Sequence, residues 1–254
     1  MIRTQGLSKH FIEAKTKKTV VAVDNVSIEA QPGRVFGLLG VNGAGKTTML
    51  RMLSTVIRPT SGTATVAGYD VVNEGEKVRA SIGFMSNSTA LYGRLTGFEV
   101  LQYFGRLYGL EGEQLNQRLK FVMDKLDLHD FKDRLCDKMS TGQKQRVSIA
   151  RTILHDPPVL FFDEPTSGLD VVTSQSVMQF IEESRDQGKT IVYCTHIMSE
   201  VERLCNDIAV IHNGQIRGRG TVEDLKSQTG QTSLERAFLK LVDALPSNLT
   251  GVAR

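Results

Sequence analysis

The sequence predicts an α/β protein in which a mostly parallel sheet is covered by helices, and three observations predict it. Apolar runs at Arg34 to Leu39, Val159 to Phe162, Thr190 to Cys194 and Ile208 to His212 read as buried strands. Helical patterns over Ser174 to Arg185 and Met198 to Leu204 separate the last three runs, and strands joined by helical crossovers pair in parallel. Finally, the first run leads straight into Gly40-Val41-Asn42-Gly43-Ala44-Gly45-Lys46-Thr47 and then into a helix through Met49, Leu50 and Leu53 to about Thr55.

The remaining elements follow in chain order. Val20 to Ala30 alternates as a half-buried strand does, and Pro32-Gly33 turns the chain into the glycine loop's strand. From about residue 89 to 155 the pattern becomes helical. Val100, Phe104, Leu107 and Tyr108 recur at helical spacing, as do Leu119, Val122, Met123 and Leu126, and Val147, Ala150 and Leu154 share one face of a helix that ends before Pro157-Pro158. This stretch is expected to be a helical subdomain inserted into the sheet. Asn213-Gly214 signals a two-residue hairpin, and two short helical patterns after Thr221 fade at Pro246-Ser247-Asn248. The expected division is a core at 1–88 and 156–220, a helical insert at 89–155 and a tail at 221–254, with no internal repeat.

At 254 residues, with 40% apolar and 23% charged side chains, the composition is that of an ordinary globular chain. A net charge of +3, spread evenly, gives no reason to expect a nucleic-acid surface. The start of the chain is mixed and polar, so no secretory signal is expected, and no apolar stretch reaches the roughly 18 residues of a membrane span. Cys136, Cys194 and Cys205 form no close-spaced pair, which argues against a metal knuckle or a disulfide framework and for a reduced, cytoplasmic setting.

The glycine loop carries phosphate-binding chemistry. Gly40, Asn42, Gly43, Ala44 and Gly45 let the backbone curl so that its N–H groups point inward, and the following helix adds its positive end. Lys46 brings a point charge to the β- and γ-phosphates, the Thr47 hydroxyl suits Mg²⁺, and Thr48 is placed for the α-phosphate. The fixed positions would match by chance in roughly 1% of chains of this size, and the strand-and-helix context lowers that further. Asp163-Glu164 closes a buried strand at its carboxyl end, where ligands of parallel sheets sit. Alone, such a pair is a solvated turn before Pro165; beside a phosphate loop, Asp163 holds Mg²⁺ through water and Glu164 orients or deprotonates an attacking water.

Upstream of that strand stands Met139-Ser140-Thr141-Gly142-Gln143-Lys144-Gln145-Arg146, which resembles the signature of the ATP-binding-cassette (ABC) superfamily. The resemblance covers residues 1 to about 220 and keeps the family order. It implies a RecA-like P-loop NTPase core, an N-terminal antiparallel β subdomain and an inserted helical subdomain, binding ATP and Mg²⁺. Ser167-Gly168-Leu169-Asp170 resembles the family's D-loop, so Asp170 joins the binding residues. His196 takes the place of the switch histidine that contacts the γ-phosphate, and Phe11 that of the aromatic stacked on adenine; the other four histidines read as structural.

Two departures matter. Where relatives have glutamine, Asn87 is one methylene shorter, which bears on its contact with Mg²⁺ or the attacking water, and the signature has Met139 and Thr141 where leucine and glycine are commonest. Together with Leu91-Tyr92-Gly93-Arg94-Leu95-Thr96 they are similar to the sodium-efflux (NatA-like) branch of ABC exporters. In the family, Ser140, Gly142 and Gln143 complete the site of a second subunit, which implies a homodimer or heterodimer around two ATP. Separate integral membrane permease subunits would receive the motion, placing this chain on the inner face of the cell membrane. A soluble ABC ATPase of ribosomes, DNA or cluster assembly is the alternative; it would carry tandem cassettes, coiled coils or zinc modules, none of which is seen. A P-loop kinase would leave the signature and His196 without a role.

Overall fold

The computed structural model describes residues 1–13, 17–86 and 91–243. Asn87 and Pro246-Ser247-Asn248, on which the sequence raises expectations, lie outside them.

An antiparallel sheet comes first. β1 (Ile2–Ile12) pairs with β2 (Thr19–Val26), with the short β3 (Glu29–Ala30) and with β5 (Ser61–Val66), which pairs with β6 (Tyr69–Asp70). The central sheet has the order β11-β10-β4-β9-β8-β7. Its parallel strands are β4 (Arg34–Leu39), β7 (Ile82–Ser86), β8 (Val159–Asp163), β9 (Thr190–Thr195) and β10 (Asp207–His212). β11 (Gln215–Gly220) returns antiparallel to β10 through Asn213 and Gly214, whose φ values of 49° and 76° are those of a primed hairpin turn.

Both faces of the inner strands β4, β8 and β9 are covered, which is why they are apolar along almost their whole length instead of alternating, whereas the edge strand β11 alternates. Phe36, Phe161 and Val192 face the antiparallel sheet and α1 (Lys46–Leu53). Their neighbours Val35, Leu160, Phe162 and Ile191 face α6 (Val171–Asp186) and the helical insert. That insert comprises α3 (Gly97–Leu107), α4 (Gly112–Lys125) and α5 (Thr141–Ile153). α2 (Gly75–Ala80) and α7 (Met198–Leu204) complete the core, while α8 (Val222–Thr229) and α9 (Leu234–Leu241) lay Leu225, Leu234 and Phe238 against Ile208 and Val210. The tail is thus packed onto the sheet as far as Val242.

Two expectations change. The run from Val20 to Ala30 is broken into β2 and β3 at residues 27–28, and Asn25, with a left-handed φ of 51°, bends β2 just before the break. The inward face of α3 is rotated: Val100, Leu101 and Gly105 are buried, whereas Leu107 is 63% exposed. Gly105 causes this, since a Cβ there would lie 2.4 Å from Leu115 Cδ1, and its absence lets α4 pack against that side. β5, β6 and α2 had no clear periodicity to announce them, being short and half-exposed.

Tyr108, just past α3, stacks on His155 with ring centroids 3.6 Å apart and planes within 3°. His155 Nε2 donates to the Ile82 carbonyl at 3.0 Å, joining the insert to β7. Burial pushes the imidazole pKa down from 6.5 to about 4 despite that hydrogen bond. The unfolded chain therefore takes up a proton near pH 6.5 that the folded chain refuses until about pH 4, so stability falls as pH drops through this window. His155→Gln is expected to flatten the fall in Tm between pH 6.5 and 4, measured by calorimetry; parallel curves for the two proteins would contradict it.

Candidate nucleotide site

β4 ends at Leu39 and α1 starts at Lys46, so the glycine loop spans the gap at the carboxyl edge of the sheet. Gly45 has φ of 114°, and a Cβ on it would sit 2.5 Å from the Ala22 carbonyl oxygen. α1 has no side-chain cap and its first internal bond runs from Met49 N–H to Gly45 O, so the N–H groups of Lys46, Thr47 and Thr48 are left without helical acceptors. An anion is the natural acceptor there. Lys46, only 4% exposed, folds back over the loop: Nζ donates to Gly40 O at 2.7 Å and Val41 O at 3.2 Å, and lies 3.4 Å from Glu164 Oε1. A cleft of about 140 Å³ opens between Asn42, Gly43, Thr48 and Glu164, with Ala22 of β2 as its outer wall.

Glu164 lines this cleft, and Asp163 stands next to it on Thr47. Thr47 Oγ1 donates to Asp163 Oδ2 at 2.8 Å. Burial raises the Asp163 pKa above the usual carboxylate range; the Thr47 hydrogen bond opposes this and the charge of Glu164 adds to it. A buried carboxylate and a hydroxyl beside a phosphate loop fit Mg²⁺, which takes one or two protein oxygens together with substrate phosphates instead of a full protein cage. Among the described residues no cluster of three His, Cys, Asp or Glu side chains forms such a cage. Glu164 adopts φ of 52°, a conformation costing about 1 kcal/mol for a residue with a Cβ. Its N–H donates to Cys194 O at 2.9 Å, and its Oε1 lies 3.1 Å from His196 Nδ1.

The signature residues gather elsewhere. Ser140 caps α5 in a reciprocal box: Gln143 N–H donates to Ser140 Oγ at 3.2 Å, and Ser140 N–H to Gln143 Oε1 at 3.0 Å. Asp170 caps α6 by accepting from Thr173 N–H at 2.9 Å and Thr173 Oγ1 at 2.8 Å, the first of which holds its carboxyl below the usual range. Ser140, Gly142, Gln143 and Asp170 line one hollow of about 540 Å³, which shares no residue with the phosphate-loop cleft. Gln145 Nε2 donates to Pro165 O, tying α5 to the turn after Glu164.

Phe11 lines neither space. It is 42% exposed and pairs across the strands with Val20, which shares a face of β2 with Ala22. The face carrying Phe11 and Val20 thus continues outward from the cleft, with Lys9 Nζ 5.2 Å from the Phe11 ring centroid. Sequence reasoning missed Ala22, Val20 and Gln145, which carry no distinctive chemistry; only register and packing bring them in. Gly45→Ala is expected to cost more stability than Gly43→Ala, because Gly43, at φ of 80°, has open space for a Cβ and meets backbone strain alone, about 1–3 kcal/mol. Equal urea midpoints for the two variants would contradict this.

Residues 23–167 match the ABC transporter family. Over 244 residues the chain is 41% identical to the ABC transporter ATP-binding protein NatA of Bacillus subtilis (strain 168), covering 95% of this chain and 98% of that protein. It is also 37% identical over 243 residues to the daunorubicin/doxorubicin resistance ATP-binding protein DrrA of Streptomyces peucetius, covering 96% of this chain and 71% of the other. A solved dimeric ATP-binding cassette in a post-hydrolysis state, bound to ADP and Pi, superposes with a TM-score of 0.79 at 25% identity, covering 87% of this chain and 98% of that one. With its glycine loop, carboxylate-ended strand and signature in this arrangement, the chain belongs to the ABC transporter family as an ATP-binding, ATP-hydrolysing subunit.

Proposed function

We propose that two copies of the chain, or this chain and a similar subunit, close face to face around two ATP and drive export through separate membrane permeases. The observation that carries the reading is the separation of the phosphate-loop cleft from the signature hollow within one chain. Each looks like half of a site, and a two-fold dimer would bring the halves together.

In the proposed cycle, ATP phosphates take over the free N–H groups at the start of α1 and draw Lys46 away from the Gly40 and Val41 carbonyls. Phe11, flanked by Val20, offers the apolar surface for adenine. Thr47 and Asp163 would hold Mg²⁺, whose charge offsets that of the β- and γ-phosphates. Release of Lys46 frees Glu164 to accept a proton from water as the water oxygen attacks the γ-phosphorus and the bond to the β-phosphate oxygen breaks, giving ADP and phosphate. His196, hydrogen-bonded to the same Oε1, would contact the γ-phosphate, and Asn87 is assigned to the attacking water. Ser140, Gly142, Gln143 and Asp170 serve the second subunit's ATP.

No helix among the described residues is long and apolar enough to cross a membrane, so the membrane path would belong to partner subunits. Tyr92, Tyr103 and Leu107 are 54%, 46% and 63% exposed on the helical insert, an apolar face suited to receiving a permease's cytoplasmic segment. The resistance function in the name of one relative favours export; sodium or another small solute is the cargo class we assign, and the inner face of the cell membrane the location.

Glu164→Gln is expected to lower kcat by about 10²–10⁴-fold while ATP affinity is kept, and to accumulate an ATP-bound dimer in sedimentation. Turnover at the parental rate would refute the assignment of the base. Ser140→Ala is expected to block ATP-dependent dimerisation and turnover yet leave ATP binding by the monomer intact, with loss of the cap costing about 1 kcal/mol of stability. Lost monomer binding, measured by nucleotide fluorescence, would count against the shared site.

A further inference from the structure

Hydroxyls from both segments that carry Glu164 and His196 converge on one buried carboxylate. Glu200, 6% exposed in the first turn of α7, accepts from Thr166 Oγ1 at 2.6 Å through Oε1, and from Tyr193 OH at 2.8 Å and Thr195 Oγ1 at 2.9 Å through Oε2. Thr166, Tyr193 and Thr195 are themselves buried. Thr166 lies two residues after Glu164 and opens the turn to Asp170, its carbonyl accepting from Leu169 N–H at 3.1 Å. Thr195 immediately precedes His196, and its hydroxyl oxygen also accepts from Ile197 N–H at 3.0 Å.

Burying a carboxylate is costly unless its oxygens are hydrogen-bonded. Here three hydroxyls bond it, and its place in the first turn sets it at the positive end of the helix. The Tyr193 hydroxyl stays a donor, because burial and then the Glu200 charge raise its pKa. Neither hydroxyl clamp serves α7 alone: each fixes a segment coming from a different strand end.

We propose that Glu200 is a positioning residue for hydrolysis, locking the segment after Glu164 to the segment before His196 and so setting the 3.1 Å separation of Glu164 Oε1 and His196 Nδ1. The proposal rests on the reading that Glu164 and His196 act on the attacking water and the γ-phosphate. Glu200 touches neither; it acts through the two threonines.

The test is ATPase kinetics with ATP-binding measurements on the full chain carrying Glu200→Gln, Thr195→Val, Thr195→Ser, His196→Ala and the Glu200→Gln/His196→Ala pair. Glu200→Gln and Thr195→Val are expected to lower kcat, by up to the order of 10²-fold, with ATP affinity unchanged. Thr195→Ser, which keeps the hydroxyl, is expected to restore the parental rate. In the His196→Ala background, Glu200→Gln is expected to slow turnover much less than it does alone. Should the two losses multiply in full, should kcat survive Glu200→Gln, or should Thr195→Ser be as slow as Thr195→Val, the positioning role is overturned while His196 keeps its own. If Glu200→Gln does not fold, the Thr195 pair decides alone. A parental rate in His196→Ala would instead remove the reading on which the proposal stands.

Discussion

Parallel pairing of β4, β9 and β8 is the constraint on which the rest depends. Leu39 lies opposite Thr195, and Cys194 opposite Asp163, so three strands reach the same edge of the sheet within a residue of one another. Directly beyond those ends stand Gly40, His196 and Glu164. Residues far apart in sequence are thereby gathered without any one of them being bonded to all the others. The apolar strands that enforce this register are buried on both faces, so a slip would place core side chains on the wrong layer.

Around that edge the charges satisfy one another. Lys46 is almost wholly buried, and its ammonium is tolerable there because two loop carbonyls accept from it and the Glu164 carboxylate lies near. The same Glu164 oxygen meets His196. In the proposed cycle phosphate binding would exchange these partners, converting a carboxylate held by lysine into one available to water. The bond from Gln145 to Pro165 ties α5, which Ser140 caps, to the turn after Glu164.

Much of this was legible from residue order alone. The glycine loop, Asp163-Glu164 and the hairpin at Asn213-Gly214 are local patterns whose conformations follow from glycine, asparagine and apolar runs, and the strand at Arg34–Leu39 and the helix at Met198–Leu204 appear where the periodicity placed them. What escaped depends on tertiary approach. Leu107 matched helical spacing, yet Gly105 turned the helix's inner face away from it. Ala22 became a wall of the cleft by register, and Glu200 looks in sequence like any helix-surface charge, although three hydroxyls from other segments surround it. The signature was recognisable by its spacing, but a cap on α5 in one chain does not by itself disclose which ATP it would serve.

In the proposed cycle one chain's phosphate loop and another's signature form a single site. Oxidative cross-linking of an Asn42→Cys/Thr141→Cys variant tests it most directly. A shared site gives a disulfide between two chains, seen as a doubling of mass, that forms with ATP and fails to form without it. A cross-link confined to one chain, or one indifferent to ATP, would rule out a site shared between two chains.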